Sequence, residues 1–241
     1  MGRFTTVLWD VDGTLLDFIY SQRWAMRKCF ESIGKEITEE MLNRYSQIND
    51  SYWKRLELGE VTKAELLIGR FETFLQEYQL EDVDAKAFAK EYQEHLGNVY
   101  KLIDDSLEYC KSLQGKVKQY VVTNGVTATQ ESKLKISGLY DVMDGIFISE
   151  AIGAPKPQKE FFDYCLSHIE ETDRQKVLIV GDSMSSDIKG GVMAGIGTCL
   201  YATESGAGAS NEEKQVKIST SDYQPDYIIG KLQQLSAILG L

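Results

Sequence analysis

The chain has 241 residues, of which 43% are hydrophobic and 26% charged, and its formal net charge is −11. These values are ordinary for a soluble globular protein, and the length suits one large domain or a core with a smaller second domain. The acidic balance disfavours a nucleic acid polymer as partner, and we find neither an apolar run of transmembrane length nor a secretory signal pattern, so we expect a cytoplasmic protein with no membrane partner.

The first predicted strand is followed at once by two acidic residues. Residues 4–9 are apolar and rich in β-forming residues, and residues 10–14 have the sequence Asp-Val-Asp-Gly-Thr. Alternate residues of an extended segment point the same way, so Asp10 and Asp12 can face one site at the carboxyl end of a sheet, where open α/β folds bind ligands. Two carboxylates held close repel each other unless a cation or a proton lies between them. A simple turn is the alternative, because Asp and Gly favour turns.

A long helical block follows the first strand. Residues 17–100 contain no proline, and their apolar residues recur at helical spacing, which predicts about four helices. Breaks are expected near Gly34, near Gly59 and at 80–84, with Thr38 and Thr62 as N-caps. Such a block is long enough to form a subdomain of its own.

The rest of the chain alternates between strand and helix, which predicts a parallel sheet with helices on both faces. We expect strands at 118–123, 146–149, 176–180, 198–201 and 227–229, and helices at 106–113, 127–136, 159–168, 187–194 and 232–239. Residues 202–214 are small and polar and are expected to form an exposed loop. The helical block is therefore an insertion between the first strand and the strands with which it pairs.

Two further segments carry candidate functional groups, and the first lies at a predicted strand-to-helix junction that suits phosphate binding. Thr123-Asn124-Gly125 supplies a hydroxyl, an amide and backbone N–H groups, although an N-cap on the next helix is an alternative. Lys156 lies between two prolines, which restrict its backbone and would fix an ammonium that has to neutralise something. An exposed lysine in a proline-rich turn is the alternative.

A last pair of acids follows the strand that ends at Val180. Asp182 lies in the first turn after the strand, and Asp187 begins the next predicted helix, where the helix dipole alone could favour it. A third carboxylate beside Asp10 and Asp12 is strongly unfavourable without a cation. Mg²⁺ is the natural candidate, because it prefers hard oxygen ligands and combines carboxylates with a substrate phosphate.

A zinc site is improbable from the sequence. The four cysteines are widely scattered and form no Cys-x-x-Cys pair, and the chain has two histidines. We expect the cysteines to be reduced and packed as small apolar residues.

Taken in order, Asp-Val-Asp-Gly-Thr, Thr-Asn-Gly, the lysine between two prolines, and Gly-Asp-Ser with a downstream Asp resemble the motifs of the haloacid dehalogenase (HAD)-like hydrolases, most of which are phosphatases. The match covers essentially the whole chain. The resemblance implies an α/β fold with a Rossmann-like parallel-sheet core, formed by residues 1–16 and 101–241. It also implies a helical cap of the C1 type, residues 17–100, that closes over the site and reads the leaving group.

The resemblance also implies roles for the acids. Asp10 would attack phosphorus and form an aspartyl-phosphate, and Asp12 would act as general acid and then general base. Mg²⁺ would be held by the Asp10 side chain, the Asp12 backbone carbonyl and Asp182, while Asp187 orients the waters on the metal.

The phosphate oxygens of a small-molecule phosphomonoester would bind to Thr123, Asn124 and Lys156. Residues 45–53, 59–62, 123–126 and 187–191 resemble the bacterial pyrimidine 5′-nucleotidase branch of the superfamily, which implies uridine, deoxyuridine and thymidine monophosphates as substrates. Candidates for reading the base are Phe18, Tyr20, Asn49, Tyr52 and Trp53, although packing in the helical core explains the aromatic residues equally well.

Three other functions use similar residues. A phosphatase of sugar phosphates would share the whole core, and a phosphomutase would return the phosphoryl group to a bound sugar phosphate. A non-catalytic receiver module would be phosphorylated on Asp10 as a signal, but receivers lack an inserted helical block. We expect a monomer or a homodimer in each case.

Overall fold

The structure is a computed structural model that describes residues 3–202 and 222–241. Apart from its first residue, the loop predicted at 202–214 lies outside the described residues. The chain divides into two compact units, Met1–Phe18 with Tyr100–Leu241, and Ile19–Val99. The insertion expected at 17–100 falls close to this division, and its role as a cap stays a prediction. No helix in the described ranges is both long and apolar enough to cross a membrane.

The helical unit has the helices that the spacing of apolar residues predicts. They are α1 (Phe18–Ser32), α2 (Glu39–Glu57), α3 (Lys63–Glu77) and α4 (Ala85–Gly97). Thr38 accepts a hydrogen bond from a backbone N–H of the first turn of α2, and Thr62 forms a capping box with Glu65 at the start of α3. Both predicted N-caps are therefore confirmed. The core of this unit is aromatic, with Tyr45 stacked on Phe71 at 5.2 Å between ring centroids.

The other unit is built on a six-stranded parallel sheet in the order β3-β2-β1-β4-β5-β6. The strands are β1 (Thr6–Trp9), β2 (Lys118–Thr123), β3 (Gly145–Ile148), β4 (Val177–Gly181), β5 (Gly197–Tyr201) and β6 (Tyr227–Ile229). Every pairing is parallel, and each predicted strand lies within two residues of its observed position. The predicted α/β fold with a Rossmann-like sheet is confirmed.

Helices cover both faces of this sheet. They are α5 (Ser106–Leu113), α6 (Thr127–Ser137), α7 (Ser149–Ile152), α8 (Lys159–Ser167), α9 (Lys189–Ala194) and α10 (Leu235–Leu239). Successive residues of β1 point to opposite faces, so that Trp9 packs in one hydrophobic cluster while Leu8 packs with Phe161 and Phe162 in another. Burial on both faces explains why these strands are largely apolar in the sequence.

The segment after β4 differs from the prediction. Instead of a helix that begins at Asp187, residues Met184–Ile188 form a π-helical turn, and α9 begins at Lys189. The Ser183 side chain accepts from the backbone N–H of Ser186 at the start of this turn. Asp187 therefore lies inside a wide turn, a feature that recurs at functional sites. The short helix α7 was also not predicted.

The sheet register places the chemical segments together. Trp9 of β1 pairs with Val121 of β2 on one side and with Val180 of β4 on the other. Because parallel strands end at the same edge, the residues that follow β1, β2 and β4 converge at the carboxyl end of the sheet.

Candidate active site

A buried lysine joins two acids at the centre of this edge. The Lys156 ammonium donates to Asp10 Oδ1 at 2.7 Å, to Asp187 Oδ1 at 2.6 Å and to the carbonyl of Val122 at 2.8 Å. The lysine is 1% exposed. Burial alone lowers the pKa of Lys156, but the carboxylates of Asp10 and Asp187 outweigh it and raise that pKa above its ordinary value. The lysine is therefore charged at neutral pH and neutralises part of an acidic cluster.

The loop that carries Lys156 is fastened to the end of β2 by Asn124. The Asn124 side chain donates to the carbonyl of Lys156 at 2.9 Å and accepts from its backbone N–H at 2.8 Å. The hydroxyl of Thr123, which is buried, accepts from the N–H of Gly125 at 3.1 Å. Asn124 and Thr123 were both predicted to hold phosphate. In the structure both polar atoms of the Asn124 amide bond the backbone of Lys156, and phosphate binding stays a prediction.

Three carboxylates gather beside the lysine. One oxygen each from Asp10, Asp182 and Asp187 lies within 4.8 Å of the others. Asp187 was predicted to orient the waters on a metal; its carboxylate belongs to this cluster, and that role stays a prediction. A Cβ added to Gly13 would overlap the carboxylate of Asp182, and one added to Gly181 would overlap that of Asp187. The absence of a side chain at these two glycines therefore provides the space that the two carboxylates occupy.

The electrostatics of this cluster suit a cation. Burial raises the pKa of Asp10 to about 7, with Lys156 opposing the shift and Asp187 adding to it. Burial, followed by the charges of Asp10 and Asp187, raises the pKa of Asp182 well above its ordinary value. Raised pKa values mean that the protein alone does not fully compensate these charges. A hard divalent cation such as Mg²⁺ would compensate them, and oxygen donors are the ligands it prefers.

The cluster makes a testable prediction about stability. A carboxyl whose pKa is raised by folding binds its proton more tightly in the folded state, so metal-free protein should lose stability as the pH rises from 3.8 towards about 7. Mg²⁺ should restore stability by about 2.7 kcal/mol at a hundredfold excess over its Kd. In Asp182→Asn the melting temperature in EDTA should rise at pH 8, and the response to Mg²⁺ should shrink.

Thermal unfolding at pH 5, 6, 7 and 8, with EDTA and with Mg²⁺, measures both effects. Asp141→Asn makes the same chemical change at an exposed position and should melt like the wild type at each pH. An undiminished response of Asp182→Asn to Mg²⁺ would show that this carboxylate does not hold the ion.

Asp12 lies apart from the cluster and has partners that the sequence did not indicate. Gln130 Nε2 donates to Asp12 Oδ2 at 2.6 Å, and the Lys133 ammonium donates to Asp12 Oδ1. Both partners belong to α6, and both are buried. Thr14 was likewise given no role, yet its hydroxyl donates to Asp10 Oδ2 at 3.3 Å. The Asp-x-Asp-Gly-Thr pattern offered a signal for Thr14, but a Gln and a Lys inside a helix offered none.

The candidates for reading a base have structural partners. Asn49 is buried and accepts at 2.6 Å from the guanidinium of Arg70. The hydroxyl of Tyr52 lies 2.9 Å from that of Thr73, and the Trp53 ring packs against a lysine ammonium at 4.4 Å. Tyr20 is exposed, and Phe18 is half-buried. These contacts are consistent with structural roles, so base recognition by any of the five stays a prediction.

A second group of possible metal ligands lies in the helical unit. One ligand atom each from Cys29, Glu91 and His95 lies within 4.8 Å of the others, a grouping that the sequence had not indicated. Burial, with a contribution from Glu91, raises the pKa of Cys29 to about 12. We assign no ion to this grouping, because the proximity of three ligand atoms does not by itself establish a metal site. All four cysteines are free and buried, as predicted.

The chain is similar to one protein family over most of its length. The family described as haloacid dehalogenase-like hydrolase matches residues 4–195. The HAD-hydrolase YfnB of Bacillus subtilis is 36% identical over 241 residues, which are 100% of this chain and 97% of YfnB. A crystal structure of YfnB, described as bound to magnesium, has a TM-score of 0.87 at 35% identity and covers 99% of this chain and 100% of its own.

Two further relatives carry a specific activity in their names. The pyrimidine 5′-nucleotidase YjjG of Escherichia coli is 30% identical over 197 residues, which are 82% of this chain and 85% of YjjG. The pyrimidine 5′-nucleotidase PynA of Streptococcus pneumoniae is 32% identical over 196 residues, which are 81% of this chain and 82% of PynA.

Proposed function

The chain belongs to the haloacid dehalogenase-like hydrolases and is a phosphatase-type enzyme of that family, and from this premise we propose that it hydrolyses pyrimidine nucleoside 5′-monophosphates with Mg²⁺ as cofactor. The products would be a nucleoside and inorganic phosphate. The proposal rests on one observation: Asp10 and Asp12 lie in the same turn, but their carboxylates have different surroundings. Asp10 lies buried beside the Lys156 ammonium, whereas the Asp12 side chain is 23% exposed and bound to α6.

Two carboxylates in different environments suit two chemical roles. Asp10 is the proposed nucleophile: its oxygen forms a bond to phosphorus as the bond from phosphorus to the ribose oxygen breaks. Asp12 gives its proton to the departing oxygen, which takes the electron pair of the broken bond. Asp12 then accepts a proton from the water that attacks the aspartyl-phosphate, which releases phosphate and restores both acids.

The surrounding groups supply position and charge, which are the main needs of phosphoryl transfer. We propose that Lys156 and the hydroxyl of Thr123 bind phosphate oxygens, while Asn124 holds the lysine in place. Asp10, Asp182 and the backbone carbonyl of Asp12 are the proposed ligands of Mg²⁺. When bound, the ion neutralises carboxylate and phosphate charge.

The preference for pyrimidine nucleotides rests on relatives and on the resemblance of four sequence segments. YjjG and PynA are named as pyrimidine 5′-nucleotidases, and each shares about a third of its residues with this chain over most of its length. A sugar phosphate phosphatase would use the same core residues and differ in the leaving group. The cytoplasmic location and the monomeric or homodimeric state stay predictions from the sequence.

We expect phosphate release from uridine, deoxyuridine or thymidine monophosphate to exceed that from purine nucleotides and sugar phosphates by at least about tenfold in kcat/KM, since a missing polar contact to the base costs at least that much. The measurement is inorganic phosphate release across this panel with Mg²⁺, with EDTA as the metal-free control. If a sugar phosphate is the best substrate, the nucleotidase assignment is wrong and the phosphatase assignment stands. Phosphate transferred back to a sugar, with no net release, would indicate a phosphomutase.

A further inference from the structure

We propose that Lys133 and Gln130 are positioning residues that hold the Asp12 carboxylate where it exchanges its proton with the leaving oxygen. The inference rests on the phosphatase chemistry proposed above and adds two residues to it. Both lie on α6, three positions apart, which places their side chains on the same face of the helix.

Lys133 and Gln130 each donate to a different oxygen of the Asp12 carboxylate. The Lys133 ammonium donates to one oxygen, and Gln130 Nε2 donates to the other at 2.6 Å. Two donors on two different oxygens fix both the rotation and the direction of the carboxylate. Because each carboxylate oxygen has about two lone-pair sites, one site per oxygen is left for the leaving group or for water. The Asp12 side chain is also 23% exposed, so its free sites are accessible.

The burial of Lys133 argues that its charge has a function. The lysine is fully buried, and among the described residues Asp12 is the carboxylate within ion-pair distance of its ammonium. Its other charge contact is the Phe18 ring, at 5.8 Å from the ammonium to the ring centroid. A buried ion pair contributes little to stability compared with well-packed apolar residues of similar volume. Stability therefore does not account for this pair, and the charge of Lys133 is explained by what it does to Asp12.

Gln130 supports the same conclusion by a separate observation. Its side chain is buried, and its Oε1 has no hydrogen-bond partner among the described residues. A Cβ added to Gly125 would overlap the Gln130 amide. The Gln130 side chain can therefore occupy its position only because residue 125 is a glycine. An unpaired buried carbonyl is unfavourable for folding. The hydrogen bond from the Gln130 amide to Asp12 explains why the side chain is buried here despite its unpaired carbonyl.

The test compares substrates whose leaving groups differ in their need for a proton. A nucleoside 5′-monophosphate releases an alkoxide and needs the proton of Asp12, whereas p-nitrophenyl phosphate releases a stable phenolate without one. In Lys133→Met, kcat/KM for the nucleotide should fall about 100-fold, the typical contribution of general acid catalysis. With p-nitrophenyl phosphate it should fall by less than about threefold, because phosphate binding and the nucleophile are unchanged.

A double-mutant cycle separates positioning from a general structural effect. If Lys133 acts through Asp12, adding Lys133→Met to Asp12→Asn should cause no further loss with either substrate. Gln130→Leu should show the same dependence on the leaving group. Lys135→Met removes an exposed lysine from the same helix and should leave both substrates unaffected. Thermal unfolding of each variant identifies any that fails to fold, and Gln130→Leu then provides the independent test.

The outcomes are distinct from those that test the substrate assignment. Turnover by the wild type decides the proposed function, and the ratios are measured with whichever alkyl phosphate the wild type hydrolyses best. Equal losses with both leaving groups, or further losses in the Asp12→Asn background, would overturn the inference. A faster Lys133→Met would also overturn it, since it would mean that the lysine restrains Asp12 in an inactive position.

Discussion

Asp10→Asn is expected to abolish phosphate release, with a loss of at least about 10⁴-fold in kcat, while the protein stays folded. The amide has nearly the shape of the carboxylate and retains an oxygen that can accept from Thr14. It lacks the nucleophilic oxygen charge that would attack phosphorus. The substitution also removes one of three clustered acids, and Lys156 keeps its contact with Asp187.

Three measurements test this result. Phosphate release at saturating substrate gives the loss in kcat, thermal unfolding in EDTA reports the fold, and mass spectrometry after an acid quench looks for a phosphoryl group on the protein. The wild type should carry that group on the peptide containing Asp10, and the variant should not. Asp141→Asn, at an exposed position, should match the wild type in all three. Turnover by Asp10→Asn close to that of the wild type would rule out Asp10 as the nucleophile.

Lys156→Met is expected to destabilise the fold by about 3–5 kcal/mol, the usual result of removing one partner from a buried ion pair. The substitution leaves the carboxylates of Asp10 and Asp187 facing each other without the ammonium that lies between them. The pKa of Lys156 is raised above the ordinary value of 10.5, so its contribution is complete at neutral pH and is lost only as the pH rises through that higher value. Catalysis should also be lost, because a proposed phosphate ligand is removed.

Urea unfolding at pH 7.5, in EDTA and in Mg²⁺, measures this loss of stability. Lys159→Met is the matched control, because that lysine is exposed on α8 and pairs with Asp163 one helical turn away. Exposed pairs of this kind contribute about 0.5 kcal/mol or less, so the control should be nearly as stable as the wild type. A small effect of Lys156→Met in EDTA would show that the carboxylates are compensated in another way. Mg²⁺ should recover part of the lost stability by binding the uncompensated negative charge.

The features that depend on neighbouring residues, such as helix caps and strands, are predicted well from the sequence. The caps at Thr38 and Thr62 follow from a side-chain oxygen beside the free N–H groups of a first turn. The strands follow from short apolar runs that are buried on both faces. Once the strands are known to be parallel, the convergence of Asp10, Thr123 and Asp182 follows from topology alone.

The features that escaped prediction depend on contacts between distant parts of the chain. Lys133 follows Asp12 by more than a hundred residues, and a lysine inside a helix normally indicates an exposed face. The π-helical turn that contains Asp187 arises where a carboxylate must reach a buried ammonium, which neither propensity nor periodicity encodes. Asn124 binds the backbone of a loop 32 positions further on, and that pairing exists only once the sheet has formed.

The two points at which the chain leaves and rejoins the sheet unit lie next to each other. Leu16 and Leu102 form an antiparallel bridge, and the N–H of Asp17 donates to the carbonyl of Lys101 at 2.8 Å. The chain therefore leaves and rejoins the sheet unit at one place, where the two connecting segments are hydrogen-bonded to each other. An ancestor could have gained, exchanged or lost that insert without altering any strand register. Under the proposal that this insert reads the leaving group, specificity can change without any change in the residues that carry the chemistry.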